Sequence, residues 1–438
     1  MDSDTALVTN GRRPPAACPD PLTELVLRDD EAADLAGDLR KLLRAVRLHL
    51  GMDVAFVSEF RNDQRVFRSV DAATSRCPVE EGGGDPVEDS YCARVVDGRL
   101  PQLMHDASTV PAAAALPVTS ELPVGAHLSV PLRLTDGRIY GTFCCFSFRP
   151  DVTLNERDLA VMRVFAELAA ERIEAELEAE QQLGIVTGWV RDVESGEGVT
   201  LAFQPIIALA SGRPAGYEAL ARFSSDPARS PATWIAEAIG AGLGVDLDLA
   251  LIRQALSHLP KLPADAYLSL NVAPTTVTSG RLTQVVHGVP TDRVVLEITE
   301  HAVVESYEQL NASLRDLRTL GLRVSVDDAG AGYASFRHIL QLQPEFIKLD
   351  LSLTRGIDRD PALRALASAM IAFAAETGST IVAEGVETER ELAALRSVGL
   401  THAQGYYLGV PAPLPAVSAE SAVGAASGSS IAARLVTR

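Results

Sequence analysis

Polar and charged side chains stand at the ends of successive apolar stretches in the second half of this 438-residue chain. A charged group at the end of a buried strand is costly unless it is paired or bound to a cation, so these positions are candidates for chemistry. Carboxylates and amides dominate the set, with one lysine among them. The positions are Glu218, Asn271, Glu297, Glu300, Asp327, Asp328, Lys348, Asp350, Glu384, Glu387 and Gln404.

Oxygen donors without histidine or cysteine are the ligands that Mg²⁺ and Mn²⁺ prefer. The adjacent Asp327 and Asp328 are suited to orient two such ions about 3.5 to 4 Å apart, the arrangement used in phosphodiester hydrolysis. Lys348 would then steady developing negative charge or the attacking water, although a lysine among acids can also be a simple counter-ion. One acidic strand end is more often a helix cap or ion-pair partner, but repetition over five strands favours a common site.

Strand and helix patterns alternate from about residue 200 onward, and this alternation positions the polar residues. Such units are typical of a largely parallel sheet. Eight strands predict a closed, TIM-like (β/α)8 barrel of the α/β class, whose strand ends converge on one mouth. The predicted strands are 201–207, 215–222, 266–272, 293–299, 322–327, 345–350, 380–384 and a weak one at 403–406.

Seven segments of this half carry a family resemblance. In order they read FQPIIALASGRPAGYEALARF, LSLNV, LEITE, DDAGAGYASF, FIKLD, IVAEGVET and AQGYYLGVP. Over roughly residues 190 to 415 the chain closely resembles the EAL-domain cyclic di-GMP phosphodiesterases. The resemblance implies that cyclic di-GMP is the substrate and linear pGpG the product. It also implies that Mg²⁺ or Mn²⁺, with two ions expected, activates the water for in-line attack.

The resemblance also implies roles for individual residues. Glu218, Asn271, Glu297, Asp327 and Asp328 match metal positions. Glu384 and Lys348 match residues that activate the attacking water, and Glu300 matches the glutamate that fixes the loop after Asp328. Gln204, Leu220, Arg222 and Gln404 are the expected substrate-binding residues, and Asp350 and Glu387 are the expected supporting ones.

Two positions depart from the family pattern. Ala329 replaces the usual aromatic residue in a loop that couples dimerisation to metal binding, so its loss is expected to loosen the loop and lower activity. Ile239 stands where an acidic residue is common, without a consequence that we can assign. Because no ligand position is lost, a hydrolase is favoured over a catalytically silent cyclic di-GMP receptor that signals through protein contacts, and over an unrelated metal-dependent barrel enzyme.

The first part of the chain has an α+β pattern, with a helical stretch at 32–50 and strand-like runs at 54–60, 127–134 and 140–148. It resembles a GAF sensor domain through the run VGAHLSVPLRLTDGRIYGTFCCFSF. Such domains bind small molecules or dimerise, so the resemblance implies regulation by a ligand that the sequence does not identify. Cys92 is compatible with a chromophore attachment, a redox thiol or, preferably, an inert core residue.

A helix is predicted to join the two parts. Thr153 and Glu156 have capping-box spacing, and apolar residues follow at intervals of three and four. The Glu- and Ala-rich later half predicts pairing with a second copy in a homodimer, with an unpaired linker helix as the alternative. The expected organisation is a flexible tail at 1–22, a sensor domain at 23–178, a linker at 179–199, the barrel at 200–415 and a flexible tail at 416–438.

The net charge and the cysteine content limit the binding partners and the cellular compartment that we expect. A formal net charge of -19 offers no general attraction to DNA or anionic lipid, so phosphate must be held locally. The five cysteines lie in the first third without zinc-like spacing, which favours a reducing cytoplasm. No apolar stretch is long enough to cross a bilayer, so membrane insertion is not expected.

Overall fold

The computed structural model describes residues 35–74, 77–224, 229–299, 304–330 and 335–414. The chain divides into two compact units, Met1–Gln182 and Leu183–Arg438, which we call unit 1 and unit 2. The predicted tails at 1–22 and 416–438 lie outside the described residues. Within the described residues no helix is both long and apolar enough to cross a membrane.

Unit 1 is built on an antiparallel sheet with the strand order β3-β2-β1-β6-β5-β4. Its strands are β1 Val54–Arg61, β2 Gln64–Ala72, β3 Gly84–Pro86, β4 Leu103–Met104, β5 His127–Arg133 and β6 Ile139–Phe146. Its helices are α1 Leu35–Leu50, α2 Tyr91–Val96, α3 Pro111–Ala114, α4 Pro117–Glu121 and the first part of α5 Glu156–Ser195. Short 3-10 turns lie at Val87–Asp89 and Ala107–Thr109. The sequence patterns had located β1, β5 and β6 but not β2, β3 or β4.

Successive side chains of β6 point to opposite faces of the sheet, as strand geometry requires. Phe143 and Cys145 pack into one hydrophobic cluster with residues of α1 and α5. Cys144 and Phe146 pack into a second cluster on the other face, together with Cys92 of α2. The adjacency of Cys144 and Cys145 within a strand pattern predicts that their side chains lie on opposite faces, and the structure confirms this.

The sequence suggested Thr153 as the cap of helix α5, but the helix begins at Glu156 and its cap is Asn155, two residues later. The side-chain oxygen of Asn155 accepts a hydrogen bond from the N–H of Arg157 at 2.9 Å. Thr153 instead donates its hydroxyl to Asp151 at 2.6 Å, within the preceding turn. The helix continues to Ser195, so most of the segment predicted as a linker is helical.

Unit 2 is a closed barrel with the strand order β10-β11-β12-β13-β14-β7-β8-β9. Its strands are β7 Val199–Ala208, β8 Arg213–Phe223, β9 Tyr267–Asn271, β10 Val294–Thr299, β11 Arg323–Ala329, β12 Phe346–Leu349, β13 Thr380–Ala383 and β14 His402–Ala403. Its remaining helices are α6 Pro231–Gly240, α7 Gly244–Leu256, α8 Pro274–Thr278, α9 Leu282–Val285, α10 Tyr307–Thr319, α11 Ser335–Leu342, α12 Leu351–Thr354, α13 Pro361–Thr377 and α14 Glu389–Ser397. Short 3-10 turns lie at Leu259–Lys261 and Thr291–Arg293.

The barrel departs from a regular (β/α)8 pattern at its first strand. Strand β7 pairs antiparallel with both β8 and β14, whereas strands β8 to β14 pair in parallel. A short connection replaces the first helix, because antiparallel neighbours can be joined by a tight turn. The weak strand predicted at 403–406 is also shorter than expected, since β14 ends at Ala403.

Candidate active site

The interior of the barrel is layered, and this layering positions the polar residues. Alternate residues of each strand face inward, so an apolar layer is followed two residues later by a polar one. On β10, β12 and β13 the steps are Val295 to Glu297, Phe346 to Lys348 and Val382 to Glu384. The apolar layer comprises Ile206, Tyr267, Val295, Phe346 and Val382.

The Lys348 ammonium is the centre of the polar layer. It lies 2.8 Å from Glu384 Oε1, 3.0 Å from Glu297 Oε2 and 3.0 Å from Asp327 Oδ1. A fourth carboxylate, Glu218 Oε2, is 3.4 Å away. The Lys348 side chain is only 2% exposed, so these ion pairs are little screened by solvent.

Amides and a hydroxyl orient the carboxylates. Gln404 Nε2 donates to Glu218 Oε2 at 2.6 Å and to Gln204 Oε1 at 2.9 Å. Asn271 Nδ2 donates to Glu218 Oε1 at 3.2 Å. Ser269 Oγ donates to Glu297 Oε1 at 2.5 Å. Both oxygens of the Glu218 carboxylate are thus hydrogen-bonded, which fixes its orientation.

Burial raises the pKa values of the carboxyl groups, whereas the central ammonium of Lys348 lowers them. Burial raises the pKa of Glu297 well above its ordinary value, and Lys348 only partly offsets this. Burial likewise raises the pKa of Glu384 to about 8. Burial also raises the pKa of Glu218, but this effect is outweighed. The charge of Lys348 and the hydrogen bonds from Gln404 and Asn271 lower the pKa of Glu218 below the ordinary value. Lys348 stays protonated, because its four carboxylate neighbours outweigh burial and raise its pKa.

The donor set is suited to divalent cations. Oxygen atoms of Asp327, Asp328 and Glu384 lie within 4.8 Å of one another. Asp328 has a left-handed backbone conformation with φ of 57°, which directs its side chain differently from that of its neighbour. Four carboxylates contact the Lys348 ammonium and Asp328 lines the adjoining cavity, so a bound cation would offset the negative charge that these groups carry when ionised. The residues present therefore fit one or more hard divalent ions.

A cavity of about 320 Å³ opens beside these carboxylates. Eight of the residues that the sequence singled out line it, and four further lining residues were missed. The predicted ones are Gln204, Glu218, Leu220, Asp328, Asp350, Glu384, Glu387 and Gln404; the missed ones are Leu351, Gly385, Gly405 and Tyr406. Tyr406 belongs to the AQGYY segment, so its proximity to Gln404 was the available signal.

Several predicted site residues have other contacts. Arg222 is exposed, does not line the cavity, and donates to the carbonyl of Ala221. Asp350 caps α12 by accepting from the N–H of Ser352, and Glu387 pairs with exposed Arg355 at 2.9 Å. Glu300 lies outside the described residues.

Position 329 is enclosed by the core. Ala329 ends β11, is fully buried, and packs in the hydrophobic cluster around the barrel strands. Its carbonyl accepts a hydrogen bond from the N–H of Asp350 at 3.2 Å, which ties β11 to the end of β12. The expectation that Ala329 loosens the loop concerns the residues after it. Residues 331–334 of that loop lie outside the described ranges, so the expectation stays a prediction.

Unit 1 contains a second cavity, of about 330 Å³, with aromatic walls and a polar edge. Arg65 and Asp85 line it, and Arg65 Nε donates to Asp85 Oδ1 at 2.8 Å. His127 also lines it, and its buried Nδ1 has no hydrogen-bond partner among the residues that the structure describes. Burial, reinforced by the nearby charge of Arg65, lowers the pKa of His127 to about 3, so the ring is neutral at physiological pH.

The fold and the site define an α/β barrel with an acidic, cation-compatible centre. Residues 189–411 match the family model of the EAL domain, which covers half of the chain, and residues 32–174 match that of a GAF domain. The chain therefore belongs to the EAL-domain family and carries a GAF domain ahead of the barrel.

Individual relatives agree with these family matches. The chain is 32% identical over 258 residues to the cyclic di-GMP phosphodiesterase NbdA of Pseudomonas aeruginosa, covering 56% of this chain and 32% of that protein. It is 30% identical over 240 residues to an uncharacterized signaling protein of Caulobacter vibrioides, covering 52% of this chain and 30% of that protein. The chain thus spans about a third of the length of these curated relatives.

One similar solved structure is the Klebsiella pneumoniae BlrP1 manganese/cy-diGMP complex. It is 32% identical, covers 50% of this chain and 57% of that chain, and has a TM-score of 0.45.

Proposed function

We propose that this chain hydrolyses cyclic di-GMP to linear pGpG with two Mg²⁺ or Mn²⁺ ions, under the control of the GAF domain. The observation that carries the proposal is the retention of the family's ligand residues and their arrangement around Lys348. Glu218, Glu297 and Asp327 lie within 3.4 Å of one ammonium group. The similarity to a curated cyclic di-GMP phosphodiesterase supports the substrate.

The ions would be held by oxygen atoms that the chain already gathers. One set is Asp327, Asp328 and Glu384, whose oxygens lie within 4.8 Å of one another. Glu218, Glu297 and Asn271 lie on neighbouring strands and supply further oxygen donors. Bound divalent ions lower the pKa of water and stabilise charge on phosphate oxygens.

The protonation states assign different roles to the two proposed catalytic residues. Lys348 is held as a cation by its carboxylate neighbours, so it acts by charge on a phosphate or on the attacking water and not as a base. Glu384 lines the cavity, and burial raises the pKa of its carboxyl to about 8. A bound divalent ion would favour its ionised form, which is suited to accept a proton from that water. Glu384 is therefore the proposed base.

The cavity walls provide contacts for a substrate. Gln204 and Gln404 contribute amide groups that suit a guanine edge or a phosphate, and Leu220 contributes an apolar surface. Tyr406, which is 67% exposed at the rim, is suited to stack on a base. Arg222 donates to the carbonyl of Ala221 and does not line the cavity, so its proposed role in substrate binding requires its side chain to leave that contact.

Control by unit 1 is supported by two features. The unit 1 cavity can hold a small ligand against Arg65 and His127. Helix α5 runs without interruption from residues of unit 1 to residues of unit 2, so it offers a continuous element for signal transfer. Exposed apolar residues on α5, among them Val164 and Leu168, support pairing with a second copy in a homodimer.

The test is to incubate the purified chain with cyclic di-GMP and Mg²⁺ or Mn²⁺ and to follow pGpG by chromatography. Glu218→Gln removes a ligand charge, and Glu308→Gln is the matched control because Glu308 is exposed on α10. We expect pGpG from the wild type and Glu308→Gln but not from Glu218→Gln, with full loss in EDTA. Binding of cyclic di-GMP without product would favour the silent receptor, and absence of both would refute the proposal.

A further inference from the structure

Two cysteines that are far apart in the sequence meet in the core of unit 1. Cys92 lies on α2 and Cys144 on β6, and their sulfur atoms are 3.3 Å apart. Both side chains are fully buried in the same hydrophobic cluster. A disulfide bond is about 2.05 Å long. The two sulfurs therefore need to approach by only about 1 Å, a shift within reach of side-chain rotation.

The surroundings make the two sulfurs chemically different. Arg65 Nη1 donates a hydrogen bond to Cys92 Sγ at 3.1 Å. Burial alone would raise the pKa of Cys92, but the hydrogen bond from Cys144 and the charge of Arg65 lower it to about 5. Burial and the neighbouring Cys92 raise the pKa of Cys144 well above its ordinary value. The pair thus consists of a thiolate at Cys92 and a thiol at Cys144.

Two neighbours of Cys92 line the unit 1 cavity, although Cys92 itself is fully buried and does not. Arg65, which contacts Cys92, lines the unit 1 cavity, as does Tyr91, the residue before Cys92. His127 offers its unpartnered Nδ1 to the same space. The cavity is thus lined by a cationic donor that contacts the reactive sulfur and by a neutral imidazole, and both groups can hydrogen-bond a hydroperoxide.

We propose that Cys92 and Cys144 are an oxidation site, at which a hydroperoxide converts the thiol pair into a disulfide. The Cys92 thiolate attacks one peroxide oxygen, the O–O bond breaks, and the other oxygen leaves and takes a proton from solvent. Cys144 Sγ then attacks the resulting sulfenic acid at Cys92, and the hydroxide leaves as water with the Cys144 proton. Two electrons, one from each sulfur, reduce the hydroperoxide to water or an alcohol.

Hydroxyl groups around Cys144 support this second step. Ser129 Oγ lies 3.1 Å and Thr142 Oγ1 3.2 Å from Cys144 Sγ. They can accept a hydrogen bond from the Cys144 thiol and hold it in place until its proton passes to the departing hydroxide. Cys145, the next residue, lies on the opposite face of the sheet, and burial raises its pKa to a value at which it carries no thiolate. Cys145 is therefore an internal control, because it is a buried cysteine that is not expected to react with a hydroperoxide.

The test uses the full chain, reduced, freed of reductant and titrated with hydrogen peroxide. Free thiols are alkylated after denaturation, and linked peptides are mapped by mass spectrometry. We expect a Cys92–Cys144 link with the loss of two hydrogen atoms and of two alkylatable thiols. This readout is independent of cyclic di-GMP hydrolysis, so it can fail or succeed without the proposed function.

Two variants separate the steps. Cys144→Ser should stop the reaction at a Cys92 sulfenic acid that dimedone traps, whereas Cys145→Ala should form the link as the wild type does. The wild-type map requires no variant to fold. The proposal is overturned if Cys92 and Cys144 stay alkylatable in excess peroxide, or if the link instead involves Cys18, Cys77 or Cys145.

Discussion

Lys348 Nζ and Glu384 Oε1 are 2.8 Å apart, and this pair joins the buried part of the active site to its open part. Lys348 is 2% exposed and surrounded by carboxylates, whereas Glu384 lines the cavity. A change in the charge of Glu384 therefore alters the electrostatic environment of the ammonium and of the carboxylates of Glu297 and Asp327, which also contact it. The following predictions use this coupling.

Removal of the central cation should destabilise unit 2. In Lys348→Met, four buried carboxylates lose their common partner, and loss of one member of a buried ion pair typically costs about 3 to 5 kcal/mol. Trp189 and Trp234 both belong to unit 2, so tryptophan fluorescence in urea reports on this unit. Lys261→Met is the control, because Lys261 is exposed. Equal unfolding midpoints for the two variants would contradict the central role of Lys348.

Asp328→Asn should separate the effect of charge from that of backbone conformation at the proposed second ion site. Asparagine tolerates the left-handed φ of 57° that Asp328 adopts, so the fold is expected to be retained. The carboxylate is lost, and we expect turnover to fall by about a hundredfold or more, the scale for removal of one charge-stabilising group. Product formation and tryptophan fluorescence measure the two effects. Unchanged turnover would mean that Asp328 holds no ion.

Without divalent ions, unit 2 should lose stability as the pH rises from 6 to 8. Burial raises the pKa of Glu384 to about 8, above its ordinary value of 4.5, so the folded state holds a proton that the unfolded state has released. Stability from this proton is present at low pH and is lost as the pH approaches 8. Melting followed by tryptophan fluorescence in EDTA should show this slope.

The slope should be smaller in Glu384→Gln, which carries no titrating group at this position, and saturating Mg²⁺ or Mn²⁺ should flatten it in the wild type. Parallel slopes for wild type and Glu384→Gln would show that another group is responsible.

The sequence identified which polar residues lie in the barrel, but it did not predict how their strands are oriented. Eight stretches of strand pattern marked the barrel, because a buried strand leaves a local apolar signature. The direction of β7 could not be read in this way, since strand polarity depends on pairing partners that are distant in sequence. Gln204, which the family resemblance marked as a substrate-binding residue, lies on this strand, which runs against its neighbours.

Contacts between residues that are distant in sequence could not be predicted from local patterns either. The sequence placed Cys144 correctly on one face of β6, but nothing in the spacing indicated that Cys92, 52 residues earlier, would contact it. Likewise, Lys348 was recognised as a residue near acids, while its simultaneous contact with four carboxylates follows only from barrel closure. The motif position of Arg222 likewise did not indicate its side-chain contact, which is the carbonyl of Ala221.

His127 should make the stability of unit 1 depend on pH in the opposite sense to Glu384. Its pKa is lowered by burial to about 3, so the unfolded state binds a proton below pH 6.5 that the folded state excludes. Stability is therefore full above pH 6.5 and falls as the pH decreases toward 3. Between pH 7 and pH 5 this costs about 2 kcal/mol, at about 1.4 kcal/mol for each pH unit below 6.5.

The measurement is calorimetric unfolding of the full chain at pH 7 and pH 5. His127→Gln removes the titrating ring, and His49→Gln is the control because His49 is exposed on α1. Relative to wild type and His49→Gln, the His127→Gln protein should lose less stability on acidification, since it has no buried imidazole to protonate on unfolding. An identical acid-induced loss in all three proteins would show that the ring of His127 is not held neutral, and that its unpartnered Nδ1 is satisfied by protonation in the folded state.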